Sequence, residues 1–119
     1  MPIEDSIVER LGCCCRPSLT TIRSLQTTNH GCLAIRQCDA CGSHWIYRCD
    51  FYDTYIGPTQ VTLWYMLISY HEAAALLSFA SIGMESSLPR RAVHVFEYTD
   101  PESTPRHRMG SRLPERCWD

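Results

Sequence analysis

A chain of 119 residues with a formal charge of −2 and a pI near 6.2 has room for one domain with a modest core. That charge gives no bulk field to gather a polyanion or an anionic membrane, so recognition by net charge is excluded. All eleven basic residues are Arg and none is Lys, a usage that fits a GC-rich and hence bacterial genome.

The opening Met1-Pro2-Ile3-Glu4-Asp5-Ser6 is acidic, without the charged start and apolar stretch of a secretory signal. No run approaches the roughly eighteen apolar residues of a membrane span. A cytoplasmic location is therefore expected, where the eight cysteines serve as thiols or metal ligands rather than disulfides. An extracellular disulfide scaffold is the alternative.

In chain order, Ile3, Ile7, Val8 and Leu11 share one side of a short helix, with Pro2 at its start and Gly12 at its end. Cys13-Cys14-Cys15-Arg16-Pro17 follows. Leu19 to Leu25 reads as a strand, Gln26 to Gly31 as a turn and Cys32 to Gln37 as a second strand, with Leu33 and Ile35 opposite Ala34. Cys38-Asp39-Ala40-Cys41-Gly42 is then the tip of a hairpin, because Ser43 to Cys49 alternates as a third strand with Trp45 and Tyr47 on one face. Gly57-Pro58 marks a turn. The fourth strand, Thr59 to Ile68, sets Val61, Leu63, Tyr65 and Leu67 against Trp64, Met66 and Ile68, the pattern of a strand buried on both sides.

Ser69-Tyr70-His71-Glu72 is a capping box that starts a helix running from about Ser69 to Ile82, with Ile68 and Ala73 placed as a hydrophobic staple. A last strand is expected at Ala92 to Tyr98. From residue 99 onward, three prolines, four arginines and scarce aliphatics predict a flexible tail outside the domain of residues 1–98, with Cys117-Trp118 as its one apolar feature. The expected fold class is α+β: a small antiparallel sheet carrying a metal-binding hairpin, with one main helix packed on it.

The chemistry centres on the hairpin tip. A Cys-x-x-Cys-Gly turn aims two thiolates at one ion, and its Gly takes the positive φ that closes the turn. Two further ligands would come from Cys13, Cys14 and Cys15; Cys13 with Cys15 comes nearest to knuckle spacing, and Cys14 with Cys15 stays open. Residues 13–49 thus resemble a zinc ribbon, which implies a structural Zn2+ held by Cys38, Cys41 and two of the three N-terminal cysteines. His30, Cys32, His44 and Cys49 are substitute ligands. A thioredoxin-like role for Cys38 would need a helix after it, and a glycine and an aromatic strand follow instead. His71-Glu72 begins a zinc-protease helix motif but lacks its second His, the position being Ala75. Cys49 or Cys117 could pair with His71 or His94 as a nucleophile, with nothing marking either as activated. No phosphate-cradling glycine loop is present.

Eight of the twelve aromatics lie between Trp45 and Tyr70. Most suit a core, but Tyr52 and Tyr55, beside Asp50 and Asp53 in an expected loop, suit a protein-binding surface. The function expected is a small non-enzymatic zinc-stabilised binding module of the adaptor, inhibitor or immunity kind, with a protein partner. The alternative is a nucleic-acid-binding zinc ribbon that uses Arg90, Arg91 and the Arg-bearing tail.

Overall fold

A computed structural model of the chain describes residues 3–52, 58–78, 88–100 and 104–114. A short helix α1 (Ile3–Glu9) precedes four strands: β1 (Leu19–Thr28), β2 (Gly31–Cys38), β3 (His44–Tyr52) and β4 (Thr59–Ile68). Helix α2 (Tyr70–Ser78) and strands β5 (Val93–Asp100) and β6 (Arg106–Gly110) complete the described elements. The six strands form one antiparallel sheet in sequence order, β1-β2-β3-β4-β5-β6.

Side-chain alternation divides this sheet into two buried faces. On one, Ala34, Trp45, Tyr47, Cys49, Val61, Leu63, Tyr65 and Phe96 pack under Ile7, Val8 and Leu11 of the N-terminal segment. On the other, Leu33, Ile35, Ile46, Met66, Ile68, Val93 and Val95 pack against Ala73 and Leu76 of α2. Because β2, β3 and β4 are covered on both sides, they read as nearly continuous apolar runs. Leu67, placed by its alternation with the buried residues of β4, is 47% exposed near the end of the strand and stands outside that cluster.

This arrangement overturns the α+β expectation: the fold is small and mostly β. Among the described residues two helical segments, α1 and α2, cover a six-stranded sheet that extends from residue 19 to residue 110, where one main helix on a small sheet was expected. The sheet is also wider than expected, because residues 106–110 pair with β5 in register, Val93 opposite Gly110 and Phe96 opposite His107. That segment was assigned to a flexible tail on composition. It is ordered by the backbone edge that β5 offers, by the His107 ring stacked 4.3 Å from that of Phe96, and by Arg108 Nε donating to Glu97 at 3.0 Å. The C-terminal part of the expected helix, to Ile82, and Cys117-Trp118 lie outside the described residues.

The start of α2 follows the expected capping chemistry. Glu72 N–H donates to Ser69 Oγ at 3.1 Å, and Ser69 N–H donates to Glu72 Oε1 at 2.8 Å. The same carboxylate receives both ends of the Arg91 guanidinium, at 2.6 and 2.5 Å, and Arg91 also donates to the Leu67 carbonyl. Arg91 first, with the Ser69 backbone also contributing against burial, holds the Glu72 carboxyl down to about 2. Arg48, 1% exposed on the α2 face of β3, is satisfied by Asp50 at 3.1 and 3.2 Å and by the Pro114 carbonyl at 2.9 Å.

Two predictions follow from this packing. Since the depressed Glu72 carboxyl adds stability that is complete above its ordinary value near 4.5 and fades as pH falls toward 2, Glu72→Gln should destabilise by about 1 kcal/mol at pH 7 and much less at pH 3. Urea unfolding at both pH values measures that difference. Deletion after Pro105 removes β6 and the carbonyl partner of a buried arginine, so its melting temperature should fall by roughly ten degrees or more. Differential scanning fluorimetry of the truncated chain reads this directly.

Candidate metal centre

Two glycine-closed turns build the site. Gly12 (φ +71°) releases the chain from the end of α1 and directs it into Cys13 and Cys14, and Gly42 (φ +78°) closes the β2–β3 hairpin behind Cys41. In that hairpin Gly42 N–H donates to the Cys38 carbonyl at 2.9 Å and Cys38 N–H donates to the Ser43 carbonyl at 2.8 Å. The tip is tied to the start of β1 as well. Asp39 N–H donates to the Ser18 carbonyl at 2.7 Å, while Thr20 Oγ1 donates to the Asp39 carboxylate at 2.8 and 3.0 Å.

The sulfurs of Cys13, Cys14, Cys38 and Cys41 consequently converge, all within 4.8 Å of one another. Cys14 Sγ and Cys38 Sγ are 3.8 Å apart. Both cysteines are free thiols, and a disulfide would bring the sulfurs to about 2 Å. A tetrahedral ion bonded to thiolates at about 2.3 Å places neighbouring sulfurs about 3.8 Å apart, so the donor set and its spacing fit a zinc-class ion.

The protein prepares this set unequally. Burial tends to raise the Cys38 thiol, but backbone N–H groups of Ser18, Cys41 and Ala40, with the Cys41 side chain, together bring it down to about 6. Cys41 is lowered, first by the Ser43 hydroxyl and then by the Ser43 backbone. Cys13 is pushed up to about 12, chiefly by burial, and Cys14 is raised for the same reason. An ion here would meet a thiolate-prone hairpin pair and take protons from the N-terminal pair. Ser43 also links the cluster to the core: its Oγ lies 3.1 Å from Cys41 Sγ and accepts the Trp45 indole N–H at 3.0 Å. The sequence offered no sign of this contact, because it depends on the hairpin folding Ser43 back beside Cys41.

The other candidates fall elsewhere. Cys15 is exposed and outside the converging set, so the N-terminal contribution is the adjacent pair Cys13-Cys14, a pairing the sequence reading had not singled out. Among the described residues His30 and His44 do not join the cluster either. Cys32 and Cys49 face each other across β2 and β3. Their thiols hydrogen-bond, and that bond first, with burial second, holds the Cys49 thiol far above its ordinary value, the reverse of an activated nucleophile. Of the expected partner-binding residues, Asp50 is engaged by Arg48, and Tyr52 is 69% exposed at the end of β3 beside the half-exposed Phe51. Asp53 and Tyr55 lie outside the described residues.

Compared with known proteins, the chain matches no protein-family model, no curated protein and no solved structure. The metal-centre reading therefore stands on the cysteine geometry.

Single substitutions to Ser at Cys13, Cys14, Cys38 or Cys41 should each abolish stoichiometric metal binding, and Cys15→Ser should leave it intact, as measured by metal analysis of the purified variants. Ser43→Ala removes a hydrogen-bond partner of a ligating sulfur and should weaken the site by about tenfold in a chelator competition.

Proposed function

We propose that this chain is a small, non-enzymatic, zinc-stabilised protein-binding module of the adaptor, inhibitor or immunity kind, working in a bacterial cytoplasm. The observation that carries the zinc reading is the convergence of four cysteine sulfurs within 4.8 Å. Four protein thiolates fill a tetrahedral shell and leave no position for water or substrate, the arrangement of a structural rather than a catalytic ion. The ion would hold the N-terminal segment to the hairpin tip, with Zn2+ favoured over harder cations by the all-sulfur donor set.

Protein binding is supported by what the surface offers. Phe51 and Tyr52 are exposed at the end of β3, 43% and 69%, on opposite faces of the strand, and each offers an aromatic side chain suited to a protein contact. The basic residues that the nucleic-acid alternative would use are partly spent within the fold. Arg91 is held by Glu72 and Arg108 by Glu97, which leaves Arg90, Arg106 and Arg112, among the described residues, as exposed arginines of the C-terminal third with no described ion pair to counter the net negative charge.

Purified protein should carry about one zinc, and chelation should lower its melting temperature by well over ten degrees, because a structural site is folding energy. Metal content below about a tenth of an equivalent with unchanged melting would remove the zinc reading. Affinity capture from the native host should retain a protein partner that a Phe51→Ala/Tyr52→Ala variant loses. Retention on DNA or RNA that falls steeply with salt would favour the nucleic-acid alternative instead.

A further inference from the structure

A second arrangement of titratable groups, outside the cysteine cluster, lies between β5 and β6. His94 Nδ1 and His107 Nε2 are 3.0 Å apart, a hydrogen bond in which one ring donates its N–H and the other accepts. Only one proton fits between the two nitrogens. A first added proton goes to the far nitrogen of the donating ring and keeps the bond, whereas two imidazolium rings would each direct an N–H at the other.

Among the described residues only the face of the Phe96 ring offsets any of that second charge. The Trp45 ring of β3 meets His94 edge-on at 5.9 Å, and Phe96 of β5 stacks on His107 at 4.3 Å. Tyr65 of β4, a neutral phenol, is the register partner of His94. From the N-terminal segment comes Arg10, whose charge opposes protonation of His107. Arg106 and Arg108 alternate to the opposite face of the sheet, where Glu97 is engaged by Arg108. Among the described residues no carboxylate faces the pair.

Apart from its backbone ladder to β5, strand β6 has little else to hold it. The side chains of residues 106–109 are exposed, and its ion pair to Glu97 is 59% and 43% exposed, so it contributes little. Arg10 reaches the Pro105 carbonyl at 3.3 Å before the strand, and Leu113 and Pro114 are anchored in the core and on Arg48 after it.

We propose that the His94–His107 pair is an acid-sensitive latch on the edge strand: protonation of both rings detaches β6 from β5. In the folded chain both imidazoles are lowered from their ordinary value of 6.5, His94 first by its partial burial and then by His107, and the more exposed His107 first by partial desolvation against its ring neighbours and then by Arg10. The opened strand thus takes up protons more readily than the closed one. Closure is complete above about 6.5 and weakens as pH falls below it.

Amide hydrogen exchange on the full-length, zinc-loaded chain at pH 7.5 and 5.5, corrected for intrinsic rates and with zinc content followed in parallel, tests this. Protection of the β5–β6 ladder should fall on the order of tenfold at the lower pH while the β3–β4 ladder stays protected. In His107→Gln, and independently in His94→Gln, neutral amides replace the titrating ring and the drop should vanish. Undiminished protection at pH 5.5, an equal loss in every strand accompanied by zinc release, or the same drop in both Gln variants would each overturn the latch.

Discussion

Convergence of the Cys13 and Cys14 sulfurs with those of Cys38 and Cys41 is the constraint on which the rest of the molecule depends. It joins the turn after α1 to the tip of the β2–β3 hairpin, and so decides where Ile7, Val8 and Leu11 lie on the sheet. A seven-residue helix cannot hold itself in water, and here its position is set by its apolar face and by the chain that leaves it. The knuckle serves the hairpin equally. The backbone groups of Ala40 and Cys41 that lower the Cys38 thiol belong to the turn that the Cys38, Gly42 and Asp39 N–H bonds hold in place, so the ligand chemistry depends on the fold of the hairpin.

With one face covered in this way, the opposite face closes differently. There the charged groups do structural work: Arg48 sits 1% exposed among apolar neighbours, held by Asp50 and by a carbonyl that follows β6, and Glu72 serves both as the helix cap and as the partner of Arg91. Breaking one partner of such a pair leaves the other unsatisfied in a partly dry site, which makes these contacts specific anchors for α2 and for the C-terminal segment. They also engage Asp50 and Arg91 within the fold, and so reshape which residues are free to meet a partner.

Much of the strand pattern was legible because local chemistry and tertiary placement agree. Trp45 and Tyr47 share a face, Leu33 and Ile35 oppose Ala34, and β4 is buried on both sides, as the alternation of apolar residues requires. The capping box formed because Ser69 and Glu72 need only each other. The strand at Arg106–Gly110 was illegible, since Arg-His-Arg has neither alternation nor β-branched residues; it is a strand because β5 presents an unpaired edge and Phe96 a ring to stack on.

By itself the sequence determined the knuckle, the order of the first four strands, the start of α2 and the absence of a basic field, all consequences of residue type over short spans. Only the tertiary structure decided that the fold is mostly β, that Cys13 and Cys14 rather than Cys15 meet the hairpin, and that two histidines thirteen residues apart share one hydrogen bond. The physical reason is the same in each case. Three adjacent cysteines look alike to a spacing argument, and two histidines on different strands carry no local signal; their roles arise only when the sheet register brings atoms within a few ångströms.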